Sequence, residues 1–113
     1  GANPVICASA LETLKIVLNT KIMINVIEKE KLIRKILIHK HITEIRGLGL
    51  MLSIILKDSS LSTKLVLNAK ENGLILFFLL IEKKAVRITP PLSISKSEIK
   101  HGCEIILDVL DKI

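Results

Sequence analysis

Apolar residues recur along this chain at two different periods, and the changes from one to the other mark out its elements. Asn3-Pro4 is a good helix start, because an Asn side chain accepts a bond from a free first-turn amide and proline supplies a preset φ. Cys7, Ala10, Leu11, Leu14, Val17 and Leu18 then follow at three-and-four spacing until the pattern fades at Asn19-Thr20. A second helix is expected from about Lys21 to Ile38. Ile22, Val26, Ile33 and Leu37 would face inward, and Glu30 is placed to pair with Arg34 one turn on.

Between His41 and Lys57 the period shortens, and two strand-like pieces flank Gly47 and Gly49, where a bend or bulge is expected. Met51, in the apolar run Leu50 to Leu56, is read as core. After a turn at Asp58-Ser59-Ser60, Leu61, Leu65 and Ala69 mark a short helix that Asn72-Gly73 should stop, since glycine takes the left-handed C-cap conformation cheaply. Leu74 to Ile81 and Ala85 to Thr89 read as a hairpin joined by Glu82-Lys83-Lys84, without the usual Gly or Asn in the turn. Pro90-Pro91 ends the last strand. Ser95-x-x-Glu98 is a capping box opening a final helix with Ile99, Cys103, Ile106 and Leu110 on one face.

The order helix, helix, strand, strand, helix, strand, strand, helix, with short connections, implies an α+β fold. A small, largely antiparallel sheet with helices packed on one side would let each helix bury its stripe. The 113 residues suit a single domain, and a hydrophobic share of 50% excludes a disordered chain. The net charge of +6 is scattered, as in Glu28-Lys29-Glu30-Lys31, and aromatics are nearly absent, so the basic stripe and stacking platforms of a nucleic-acid binder are missing. The apolar run Leu74 to Ile81 is far shorter than the roughly 20 residues that span a bilayer, so no membrane partner is expected. With no charged segment leading an apolar stretch, and two cysteines far apart, a cytoplasmic location is expected.

Four segments carry a resemblance. Gly1-Ala2-Asn3-Pro4, Arg46-Gly47-Leu48-Gly49-Leu50-Met51, Asn72-Gly73-Leu74 and Arg87-Ile88-Thr89-Pro90-Pro91-Leu92 stand in the order and at the intervals of the C-terminal small domain of class III pyridoxal-phosphate-dependent aminotransferases. Ala2 replaces that family's usual second glycine. The resemblance implies the small domain of the fold type I transferases, residues 1–113, with the large cofactor-binding domain absent. It implies that Arg87 binds the carboxylate of an amino donor or of 2-oxoglutarate, a task suited to a planar, permanently charged fork. Arg46 is read as an ion pair or backbone anchor.

The resemblance also implies pyridoxal 5′-phosphate in the full-length parent, whose partners would be the large domain, a second subunit, an amino donor and a 2-oxo acid acceptor. Aminotransfer needs a Schiff-base lysine, an acidic partner for the pyridinium nitrogen and donors for the phosphate. No lysine here stands in that context, and Lys83 and Lys84 read as turn residues. The isolated chain is therefore expected to bind no cofactor and to be inactive, with no catalytic residue of its own. A stand-alone α+β interaction or small-ligand-binding module is the alternative. His39 and His41 would share a strand face but lack a third ligand, so no metal is expected. His101 reads as a helix-surface residue, Cys7 and Cys103 as small buried hydrophobes, and Ser93, Ser95 and Ser97 as part of the final helix start.

Overall fold

The computed structural model describes residues 21–74 and 79–113. The expected first helix, with its Asn3-Pro4 start, and positions 75–78 of the expected Leu74–Ile81 strand lie outside the described residues. Helix α1 covers residues 21–36, followed by β1 (Ile42–Leu48), β2 (Met51–Leu56), α2 (Ser59–Glu71), β3 (Leu79–Glu82), β4 (Ala85–Ile88) and α3 (Lys96–Lys112). The strands form one four-stranded sheet in the order β1-β2-β4-β3, antiparallel throughout. This is the α+β fold expected from the alternating periods.

Alternation along the strands decides which face is covered. Leu52, Ile54 and Leu56 of β2 and Val86 and Ile88 of β4 are buried in one cluster with Ile33, Leu37, Leu65, Ala69, Ile99, Cys103, Ile106 and Leu110. The helices thus lie on one side of the sheet. The alternate residues Met51, Ser53, Ile55 and Arg87 turn to the other face, on which no helix among the described residues packs. Met51 is 74% exposed there, so its expected core position is corrected. The hairpin turn fixes the parity of β2 and places Met51 opposite Leu48 on that face.

Both covered helices are ended by local chemistry. Asp58 caps α2, its carboxylate accepting from the Leu61 amide (2.9 Å) and the Ser60 hydroxyl (2.6 Å). The far end closes with Leu74 N–H donating to Ala69 O and Gly73 N–H to Lys70 O, the paired bonds of a Schellman motif that satisfy orphan carbonyls. The expected capping box opens α3. The Ser95 hydroxyl accepts from the Glu98 amide (3.0 Å), while the Glu98 carboxylate accepts from the Ser95 amide (2.9 Å).

Helix α1 departs from its expected pattern at both ends. Ile33 and Leu37 are buried and Val26 is half-buried, but Ile22 is 36% exposed, as are Met23, Ile24 and Ile27 to a greater degree. The helix stops at residue 36, and Ile38 points into solvent. Its charged pair is formed as expected, with Arg34 Nε donating to Glu30 at 2.9 Å. That pair also grips the β1–β2 hairpin. Arg34 Nη1 donates to Ile45 O (2.6 Å) and Nη2 to Gly47 O (2.8 Å), while the second Glu30 oxygen accepts from Gly49 N–H (2.6 Å).

The hairpin explains why those carbonyls are available. Leu48 and Met51 close a two-residue turn, with Gly49 at φ 61 in its first central position, as a type II′ turn requires. The closing pair is hydrogen-bonded, so Ile45 and Gly47 fall at non-hydrogen-bonded positions and point their carbonyls away from β2. The β3–β4 turn uses the same two-residue length without glycine, and Lys83 takes φ 53.

The caps make stability pH-dependent. Asp58 is held below the usual carboxylate range chiefly by the Ser60 hydroxyl, then by the Leu61 amide. Glu98 is lowered by the Ser95 amide and hydroxyl. Their contribution is complete above the ordinary values of 3.8 and 4.5 and is lost as pH falls through the depressed folded values. His41 is lowered by partial burial and then by His39, Lys40 and Lys57, so the unfolded chain takes up this proton first as pH falls through 6.5. Urea midpoints measured against pH should stay level from neutrality to about pH 8, fall first below about 6.5 and again in the carboxylate range. His41→Gln should remove the upper step only, and an unchanged upper step would reassign it.

A candidate carboxylate site on the sheet face opposite the core

The register builds a row of three side chains across the sheet. Arg46 of β1 pairs with Ser53 of β2, and Ser53 pairs with Arg87 of β4. Val86 and Ile88, the chain neighbours of Arg87, are fully buried, so alternation puts the guanidinium on the opposite, exposed face. Arg46 and Ser53 form a hydrogen-bonded pair. Ser53 therefore directs its backbone groups toward β1 and meets Arg87 as a non-hydrogen-bonded pair, the closer kind, with Cα atoms about 4.5 Å apart.

Helix α1 also fixes the chain as it leaves β4. Pro90 is buried, Ile94 N–H donates to Pro91 O (3.0 Å), and the Lys29 ammonium donates to Leu92 O (2.9 Å). The segment after Arg87 is thus anchored on both sides of Pro91. Arg46 has the expected ion pair, with the Glu44 carboxylate two residues away on the same strand face.

The structure gives the other candidates ordinary roles. His39 and His41 do not share a strand face, because both lie in the loop before β1. The His41 amide donates to His39 Nδ1 (3.1 Å), so the proton of the neutral ring sits on Nε2, which donates to Asp111 at 2.7 Å. Among the described residues no group of three or more His, Cys, Asp or Glu side chains is gathered to hold a metal ion. Cys103 is a free, fully buried thiol pushed up to about 12 by its burial, and such a thiol is a poor nucleophile. Cys7 lies outside the described residues. His101 is exposed on α3, Ser95 is its N-cap, and Ser93 and Ser97 are exposed.

Ser53 was not among the residues singled out from the sequence. Its signal is there nonetheless, as the one polar position in the apolar run Leu50 to Leu56. The clamp of Glu30 and Arg34 on the hairpin was half legible, as the pair without its target.

Comparison with known proteins follows the same segments. The sequence model described as "Aminotransferase class-III" matches residues 1–110. The chain belongs to the class III aminotransferase family. It is 34% identical over 113 residues to an ornithine aminotransferase of Plasmodium falciparum (isolate 3D7), covering 95% of this chain and 27% of that protein. It is 34% identical over 120 residues to an acetylornithine aminotransferase of Caldanaerobacter subterraneus, covering 100% of this chain and 29% of that one. The crystal structure of an acetylornithine aminotransferase from Elizabethkingia anophelis superposes with a TM-score of 0.75 at 27% identity, covering 97% of this chain and 29% of the other. The chain thus spans under a third of the length of these relatives.

Class III aminotransferases generally use pyridoxal phosphate, and the described residues do not fit that group. A Schiff-base lysine needs an enclosed or desolvated setting that activates its amine. Every described lysine is exposed except Lys29, which is half-buried and gives its ammonium to Leu92 O. No helix among the described residues is long and apolar enough to cross a membrane.

Proposed function

We propose that residues 1–113 form the small domain of a pyridoxal-phosphate-dependent aminotransferase and that Arg87 binds the carboxylate of its amino donor or 2-oxo acid acceptor. The observation that carries this reading is the position of Arg87. It stands exposed in the Arg-x-x-Pro-Pro-Leu segment, on the sheet face opposite the one filled by the core of the described residues. In this reading the large cofactor domain and a second subunit complete the enzyme and supply the cofactor's lysine, acidic partner and phosphate donors. The chain by itself has no transaminase activity. The compartment is the reducing cytoplasm, in keeping with the free thiol of Cys103.

The test joins this segment to the cofactor domain of a class III relative and compares Arg87 with Arg87→Lys. An ammonium cannot reproduce the planar two-point grip. The variant should raise KM for 2-oxoglutarate and lower its kcat/KM by about one to two decades, the equivalent of roughly 1.5–3 kcal/mol for a hydrogen bond to a charged group. The melting temperature should barely move. Unchanged 2-oxoglutarate kinetics with a sharply lower Tm would make Arg87 structural.

A further inference from the structure

The last turns of α2 and α3 meet around a cavity of about 200 Å³ on the helix side of the sheet. Asn68 and Asn72 stand one turn apart on α2, and His101, Ile105, Asp108 and Lys112 follow at three-and-four spacing along one stripe of α3. The base is apolar, made by buried Val109 and half-buried Ile105. Above it the wall accepts hydrogen bonds. Asn68 Nδ2 donates to Lys64 O (2.8 Å) and Asn72 Nδ2 to Asn68 O (2.7 Å). Each amide thus turns its nitrogen to the backbone one turn back and its oxygen the other way. Asp108 adds a carboxylate at the mouth, and no side chain among the described residues pairs with it, Lys112 one turn on included. Both helices end at this cavity, where their dipoles favour positive charge.

We propose that this cavity is a binding site for a primary alkylammonium group, whose three N–H donors meet Asn68 Oδ1, Asn72 Oδ1 and the Asp108 carboxylate while its methylene stem lies on Ile105 and Val109. An ammonium carries three donors and no acceptor, which matches a wall of three acceptors. The bond to Asp108 is charge-assisted at both ends. A volume of about 200 Å³ lies below the roughly 300–1,000 Å³ of pockets for drug-sized molecules, so what fits is a ligand of a few heavy atoms or the end of a longer amine. Lys112 stands on the rim, where its exposed ammonium can swing into solvent, and His101 is exposed at the far end of the stripe.

The experiment titrates n-butylammonium chloride into the isotope-labelled 113-residue chain at constant ionic strength, reading the Ile105 and Val109 methyl and the Asn68 and Asn72 side-chain amide resonances. The alcohol n-butanol keeps the stem without the charge, and tetramethylammonium keeps the charge without a donor. Butylammonium should give saturable shifts at these residues, and neither control should saturate. Asp108→Asn should weaken binding about tenfold, and Asn68→Ala, which improves helix propensity, about three- to tenfold through loss of one hydrogen bond. Lys112→Ala should bind at least as tightly as wild type. Unperturbed Leu65 and Ile106 methyl resonances verify the fold of each variant. Absence of a saturable shift in wild type overturns the proposal, as does equal binding of either control. Wild-type affinity in Asp108→Asn or Asn68→Ala would place the amine elsewhere, and weaker binding by Lys112→Ala would mean that the cavity does not select a cation; either result overturns it too.

Discussion

Gly47→Ala is expected to destabilise the domain by about 3–5 kcal/mol, the sum of a strained backbone conformation and an overpacked contact. Gly47 has φ 119, a region that L residues rarely adopt. A Cβ at this position would stand 2.1 Å from the Met51 carbonyl oxygen and 3.1 Å from Leu52 Cα, and both are backbone atoms. Neither can swing aside as the tip of a long side chain does. Relief would require the hairpin to open, and with it the Gly47 carbonyl's bond to Arg34. Urea unfolding of the two proteins measures the difference. A loss below about 1 kcal/mol would mean that the hairpin relaxes without penalty, and the account of the Arg46-Gly47-Leu48-Gly49 segment would fail.

Arg34→Met should be nearly as damaging, at about 2–4 kcal/mol, because it strips three charge-assisted hydrogen bonds while keeping the apolar stem. The bonds at risk run to Glu30, Ile45 O and Gly47 O. Glu30 would remain, mostly buried and holding only the Gly49 amide. The sum is held below three full bonds because the Arg34 side chain is 36% exposed, and water replaces part of what is lost. Arg34→Lys should recover only part of the loss, since an ammonium cannot reach Glu30 and two carbonyls in one plane. Hydrogen exchange adds a local reading, with faster exchange expected at the Gly49 amide. Equal stability of wild type and Arg34→Met would show that solvent serves these carbonyls as well as the guanidinium does.

Much of the fold was legible because its signals are local. The Ser95–Glu98 box, the Asn72-Gly73 stop and the stripe Ile99, Cys103, Ile106, Leu110 depend on residues within a few turns of one another, and all three are formed. Met51 and Ile22 were misread for a shared reason. A run as uniformly apolar as Leu50 to Leu56 does not declare which parity faces the core, and that choice is made by a turn at Gly49 and by pairing with β4. The apolar start of α1 likewise cannot state how much covering surface lies nearby, and Ile22, Met23, Ile24 and Ile27 are exposed. Contacts distant in sequence were not legible. His39 meets Asp111 across 72 positions, and Lys29 meets Leu92 across 63. The candidate site divides in the same way. Arg87 was marked by the two prolines after it, whereas its row with Ser53 and Arg46 exists only once the strands are in register.

The guanidinium of Arg34 also decides how this sheet can meet other chains. An outermost strand normally offers a row of unpaired amides and carbonyls, a template onto which another extended segment can zip. On β1 two of those acceptors are already occupied by a charged side chain held from behind by Glu30. An incoming strand would have to evict a cation from two carbonyls and a carboxylate before making its first bond. The β1 flank is thus guarded against strand addition and the fibrous assembly that begins with it.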